Sequence, residues 1–152
     1  MAEPRLNYKN YSVLEILNMI ADCSSTNGKI EIMKQARINK DFIETLKMAY
    51  NPNIKYSVND FEVFDKLLPD WSQSMTLQRI YNTTLKVISG GTLTEEKAKH
   101  KLYMATMNMT EEQVEVLKRV VNKDLKIGCG IKMINKAIPN LIEDYNEKWF
   151  NF

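Results

Sequence analysis

The amino-acid sequence predicts an all-α fold, one compact domain of about seven to nine helices. Three observations carry this expectation. Apolar residues recur at three- and four-residue spacing along most of the chain, and no alternating period-2 run of useful length interrupts them. Capping residues and Pro or Gly stops punctuate the periodic stretches. The composition, 44% hydrophobic with five glycines and four prolines in 152 residues, is that of a chain with a core rather than a disordered one.

The elements follow in order. Ser12 with Glu15 makes a capping-box pattern ahead of Val13, Leu14, Ile16, Leu17 and Ile20. Asn27-Gly28 reads as a break, after which Ile30, Met33, Lys34 and Arg37 suggest a second helix. Asp41 with Glu44 opens a third, holding Phe42, Ile43, Leu46 and Tyr50, and Asn51-Pro52 stops it. Ser57 with Asp60 opens a fourth through Phe61, Phe64, Leu67 and Leu68, ended by Pro69. Ser74 leads a long helix with Leu77, Ile80, Tyr81, Thr84 and Ile88 on one side, closed by Gly90-Gly91. Thr94 caps a helix from Glu95 to Met107, and Thr110 with Gln113 opens the next at Glu111. Tyr8 and Tyr11 are expected to pin the N-terminal arm, residues 1–11, to the core. Met104, Met107 and Met109 read as gap-filling core residues.

The stretch from Glu111 to Ile142 is the most informative. It reads as two amphipathic helices joined through Gly128-Cys129-Gly130. Val114, Val120, Val121 and Leu125 fall on the side of Leu117, while Arg119, Asn122, Lys123 and Lys126 fall opposite, at i, i+3, i+4 and i+7. Ile131, Ile134 and Ile138 form a second apolar stripe with Lys132 and Lys136 opposite. Gly128 and Gly130 place backbone N–H groups at the start of the second helix, where an anion is favoured. The plainer reading of the glycines is a helix C-cap followed by a tight turn, and the two readings are compatible. Lys97 and Lys101, one turn apart, form another basic pair able to meet phosphate or simply to face water.

Charge distribution points the same way. The net charge is only +2, but residues 71–142 carry 11 Lys and Arg against 6 Asp and Glu, while residues 1–70 carry 9 against 10. The cations are thus concentrated where the glycine break lies, as an electrostatic footprint for a polyanion should be. Other classes are excluded or disfavoured. There is no apolar run of membrane length and no signal-peptide pattern at Met1–Arg5. Cys23 and Cys129 are far apart without CxxC spacing and read as reduced thiols of a reducing compartment. His100, the only histidine, lies among Lys97, Lys99 and Lys101, which argues against a metal site, and no Ser-His-Asp set is read around it. No Walker-type glycine loop is present. Neither a cofactor nor a metal is expected.

Residues 116–130, VLKRVVNKDLKIGCG, with Glu115 as an acidic lead-in, resemble the signature near the end of the N-terminal DNA-binding domain of ATP-dependent DNA ligases. INKAIPNLI at 134–142 is most similar to the same region in ligases of T-even-like bacteriophages. Val13–Asn18, Ile20-Ala21 and the turn from Ser24 to Lys29 resemble the opening helix and loop of those enzymes. The resemblance covers about 130 residues. It implies a helical domain lying along the minor groove and touching sugar-phosphate on both sides of a nick, with little sequence preference. It maps that role onto Lys126, Gly128, Gly130 and Lys132, with Arg119 and Lys123 as neighbours. Lys136, Lys97 and Lys101 complete the expected DNA-binding set.

Adenylation in that family uses a lysine in a Lys-x-Asp-Gly setting, and none of the seven Asp residues here is followed by Gly. The resemblance therefore implies a non-catalytic part or relative of a ligase, in the cytoplasm of a host cell if phage-encoded. Its expected partner is double-stranded or nicked DNA, with a separate ligase core or another replication protein as a second, and it is expected to be a monomer away from membranes. Residues 1–142 are expected to form the DNA-binding domain. Residues 143–152, acidic and aromatic, are expected to be a tail or the start of an interdomain linker. Two rival readings stand beside this one: a protein-interaction module that keeps the fold and docks a phage or host protein, and an accessory that binds RNA.

Overall fold

The computed structural model describes residues 7–52, 54, 56, 58, 76–89, 93–107 and 109–142. The described residues form seven α-helices and a short 3-10 turn, with no strand among them. The turn is Tyr8–Asn10. The helices are α1 Val13–Asp22, α2 Thr26–Ala36, α3 Lys40–Tyr50, α4, α5 Glu95–Thr106, α6 Glu111–Val121 and α7 Ile131–Ala137. Helix α4 comprises Leu77–Ile80, a π-turn Tyr81–Leu85, and Lys86–Ile88. The helix expected over 57–68, the Ser74 start, the Gly90-Gly91 stop and the 143–152 tail lie outside the described residues.

Local capping chemistry sets most helix starts. Ser12 Oγ accepts from Glu15 N while Glu15 Oε1 accepts from Ser12 N, so both halves of the α1 capping box are made. Thr110 and Gln113 do the same for α6, and Thr94 caps α5. Two starts differ from expectation. Asn27 and Gly28 do not break the chain but occupy the first turn of α2, because Ser25 Oγ takes the Gly28 N–H. Helix α3 is capped by Asn39 rather than opened by Asp41. Asn39 Oδ1 accepts from Phe42 N, and its amide nitrogen donates to Tyr8 O at 2.8 Å and Tyr11 O at 3.0 Å. That one side chain caps a helix and ties down the N-terminal arm. Tyr8 is buried and meets Tyr11 edge-on at 5.5 Å, as expected of an arm packed on the core.

The core is built around α1. Its Ile16, Leu17 and Ile20 are fully buried, and α1 packs on α2, α3 and α6. Helix α3 brings Phe42 and Leu46 against α6 and α4, and α2 packs along α7. Thr45 Oγ1 donates to Asp41 O at 2.6 Å, so its oxygen is left to accept from Tyr81 Oη at 2.7 Å. This pair joins α3 to the π-turn of α4. The same turn carries Leu85 into the core and leaves Thr84, expected on the apolar side, half-buried. Met109 fills the core as expected, but Met104 and Met107 are 49% and 42% exposed. Helix α5 already satisfies its core contact through Ala98, Leu102 and Ala105.

Burial raises the pKa of four tyrosines: Tyr8, Tyr50 to about 12, and Tyr56 and Tyr81 higher. Such groups hold their protons when folded and release them when unfolded above pH ~10, so stability is complete below that pH and falls as pH rises towards the folded pKa. Each tyrosine contributes a fall of about 1.4 kcal/mol per pH unit in that window. Denaturant melts between pH ~9 and ~11 check this: Tyr56→Phe should show a shallower alkaline decline than the wild type.

Candidate nucleic-acid interface

The basic segment begins where α6 ends. Val116, Leu117, Val120 and Val121 are buried, and Glu111 and Glu112 at one end with Lys118 and Arg119 at the other complement the helix dipole. The helix stops at Val121, earlier than the glycines suggest. Lys123 N donates to Val120 O and Asp124 N to Arg119 O, the paired bonds of a Schellman ending. The left-handed position that glycine usually fills is taken by Lys123, at φ 58°. Arg119, Asn122, Lys123 and Lys126 therefore do not share one helix face, and the Gly-Cys-Gly sequence is not a helix C-cap.

Two of the expected contacts turn inward. Lys123 Nζ donates to Asn51 O and Ile54 O, each at 2.7 Å, and lies 5.9 Å from the centre of the Tyr56 ring. Burial lowers its pKa. Its ammonium closes the carboxyl end of α3. Arg119, with a side chain only 14% exposed, lies 3.8 Å from Glu115 Oε2 and donates from Nη1 to Leu125 O at 3.4 Å. Both cations brace the segment from behind.

From Asp124 onward the chain zigzags without becoming a strand. Asp124 Oδ1 accepts from Lys126 N, and Lys126 and Gly128 both take positive φ, 59° and 68°. Leu125, Ile127 and Cys129 are buried while Lys126, Gly128 and Gly130 are exposed. This is a period-2 pattern that helix-based reading passes over. Tyr50 supports the segment through a hydrogen bond with the Leu125 backbone, which acts on its pKa against the larger effect of burial. Burial likewise pushes the Cys129 thiol up, partly offset by the Lys29 ammonium.

Lys29 is a support of this segment that sequence reasoning missed. Its Nζ donates to Ile20 O at 2.8 Å and to Ile127 O at 3.0 Å, joining the end of α1 to the zigzag. A signal was present: Lys29 shares a helical stripe with the buried Met33 and Ala36, at i, i+4 and i+7.

Gly130 then N-caps α7 without a side-chain bond. Ile134 is buried, with Ile131 and Ile138 partly so, and Lys132 and Lys136 are exposed. With seven residues, α7 offers a small dipole, so attraction for an anion here must come mainly from lysines. Asn135 closes the region by exchanging two 2.9 Å hydrogen bonds with the Ile142 backbone. The structure thus brings Lys126, Gly128, Gly130, Lys132 and Lys136 onto one exposed run of chain. Lys97 and Lys101 are exposed on a different helix, α5, which packs on the π-turn of α4. Among the described residues no group of three or more His, Cys, Asp or Glu is placed to hold a metal, and no helix is long and apolar enough to cross a membrane.

No protein-family model matches the chain. It is 25% identical over 147 residues to the DNA ligases of Enterobacteria phages T4 and T6, an alignment that takes in 91% of this chain. The chain resembles a phage DNA ligase. It spans 30% of the length of those relatives, so the likeness is to a part of a ligase. The solved structures Pmar-Lig_PreS3 and Pmar-Lig_Pre. share the fold, each with a TM-score of 0.70 at 23% identity over 84% of this chain and 29% of theirs. Among its described residues this ligase-like part is all-helical.

The glycines of this ligase-like part are not equivalent. A Cβ on Gly28 would stand 2.4 Å from Cys23 Sγ and 2.6 Å from Ser25 Oγ, the atom that caps α2, whereas one on Gly130 would meet nothing within 4 Å. Gly28→Ala should therefore cost roughly 1 to 2 kcal/mol by displacing the cap, and Gly130→Ala should cost less, because its Cβ is open and only the poorer N-cap preference of alanine counts against it. Equal losses in thermal melts of the two variants would contradict this assignment.

Proposed function

We propose that this chain is a non-sequence-specific DNA-binding domain that grips the sugar-phosphate backbone of duplex DNA, nicked duplex above all, from the minor-groove side. The observation that carries the reading is the run Lys126, Gly128, Gly130, Lys132 and Lys136, exposed together in a chain resembling part of a phage DNA ligase. Lysines facing water supply charge without a directional code, and bare glycines let a phosphate approach the backbone. Contacts of this kind give affinity by counterion release and carry little base information. Lys97 and Lys101 extend the footprint onto α5, while Arg119 and Lys123 support the surface from within.

Binding should be salt-sensitive. With roughly four to six phosphates neutralised, log K against log salt should slope near −4 to −5. Lys126→Ala and Lys132→Ala should each weaken binding to all sequences alike and flatten that slope by about one. Gly130→Val should weaken binding by crowding the phosphate while leaving the fold intact, since its Cβ position is open. Lys34→Ala, on the charge-balanced half of the chain, is the control. Titrations of nicked duplex, intact duplex and single strand at two salt concentrations decide the matter; a salt-independent affinity sinks the proposal.

The domain is also proposed to be non-catalytic alone, because the sequence has no Lys-x-Asp-Gly adenylation motif. Incubated with labelled ATP and magnesium, then denatured, it should carry no covalent AMP. Label retained on the chain would overturn this.

One observation favours the interaction-module reading. Tyr103 and Met104 on α5 and Met107 just after it are exposed, three large apolar side chains that duplex DNA would not require. Charge substitutions there separate the two readings, because they would abolish docking of a protein partner without changing the salt slope for DNA.

A further inference from the structure

Lys29 lies in the first turn of α2, yet its ammonium acts on a carbonyl 98 residues away. The two oxygens it joins have different origins. Ile20 O belongs to the last turn of α1 and also accepts from Cys23 N, while Ile127 O belongs to the zigzag between Lys126 and Gly128. Neighbouring geometry shows how closely the segment rests on this cation. A Cβ on Gly128 would be 3.5 Å from Lys29 Nζ and 3.9 Å from its Cε, ordinary contact distance.

We propose that Lys29 is the positioning residue of the DNA-binding surface: from beneath, its ammonium sets the conformation of residues 126–130 without itself touching phosphate. This inference rests on the backbone-binding reading above. The segment needs such a hold because Lys126 and Gly128 both sit at positive φ, outside any helix or sheet ladder. Asp124 fixes the Lys126 amide at one end, and Gly130 enters α7 at the other. Lys29 anchors the middle, at Ile127. Removing its donors leaves two carbonyls facing each other with no shared partner, and the segment loses the register that turns Lys126 and the glycines outward. Because α2 also packs along α7, the helix bearing Lys29 and the helix bearing Lys132 and Lys136 are held together.

The test compares Lys29→Met, which keeps the stem and removes the donors, with Lys29→Arg, which keeps charge and donors. Lys29→Met should weaken duplex binding about tenfold, the size of effect expected when charge-assisted hydrogen bonds are lost. Its log K against log salt slope should equal that of the wild type, unlike Lys126→Ala, which removes a phosphate contact. Without DNA, amide exchange at Ile127–Gly130 should accelerate while amides of α5 keep their protection, and Lys29→Arg should restore both affinity and protection. A flattened salt slope in Lys29→Met would make the residue a phosphate ligand and overturn the proposal, as would unchanged exchange at Ile127–Gly130. If the wild type does not bind duplex while Lys29→Met still loosens the segment, the functional reading fails and the structural hold stands. Should Lys29→Met not fold, Lys29→Gln, a shorter neutral donor, is read by the same two measurements.

Discussion

Two lysine ammonium groups, each shared between two backbone carbonyls, hold the segment on which the proposed interface depends. Lys123 joins Asn51 O and Ile54 O at the carboxyl end of α3, and Lys29 joins Ile20 O at the end of α1 to Ile127 O. The carboxyl ends of helices carry partial negative charge and unpaired carbonyls, so a cation there answers both at once. The segment from Asn122 to Gly130 has no ladder of its own, and a buried carbonyl left without a donor costs about 1 to 3 kcal/mol. A lysine suits this place because its apolar stem can be buried while its head reaches several acceptors.

This arrangement divides the cations of one short stretch into two groups by what they face. Lys123 donates to two carbonyls, and Arg119 donates one hydrogen bond to Leu125 O while forming an ion pair with Glu115, so both stabilise the local path of the chain. Lys126, Lys132 and Lys136 face water and, on the proposed reading, supply the charge that draws a polyanion. The division explains how a chain of net charge +2 can keep exposed cations for the proposed interface. It also explains the alternation around Ile127: every buried residue there anchors the segment, and every exposed one is either charged or small.

Most helix starts with local signals were legible in the sequence; the exception is α2, whose equally local Ser25 cap was hidden by the Asn27-Gly28 pair. Ser12 with Glu15, Thr94, and Thr110 with Gln113 cap helices where the sequence places them, because the atoms that make each cap lie within three residues. Reading failed where a distant group chose between local options. Asn39 caps α3 in preference to an Asp41 start because it also takes the Tyr8 and Tyr11 carbonyls. Helix α6 ends at Val121 rather than running on to the glycines because carbonyls from the α3 terminus hold Lys123, just beyond it, in a conformation glycine would normally take. At the candidate site the exposure of Lys126, Gly128, Gly130, Lys132 and Lys136 was legible, whereas the inward turn of Arg119 and Lys123 and the support from Lys29 were not. A lysine that faces water and one that binds a carbonyl 98 residues away have the same local sequence appearance.

The supports therefore belong to the domain as a whole. The chain from Glu111 to Ile142 contains every exposed lysine of the main basic run, but the acceptors of Lys123 lie 72 and 69 residues earlier and the donor to Ile127 O lies on α2. Tyr50, against the Leu125 backbone, comes from α3. Positive φ at Lys123 and Lys126 costs roughly 1 to 2 kcal/mol per residue for side chains with a Cβ, and that cost is met by partners outside the segment. The charge of the interface is encoded locally, whereas its shape is encoded by α1, α2 and α3. A ligase-like part that kept the basic run and lost those helices would retain attraction for a polyanion and lose the arrangement that turns Lys126, Gly128 and Gly130 to the same side.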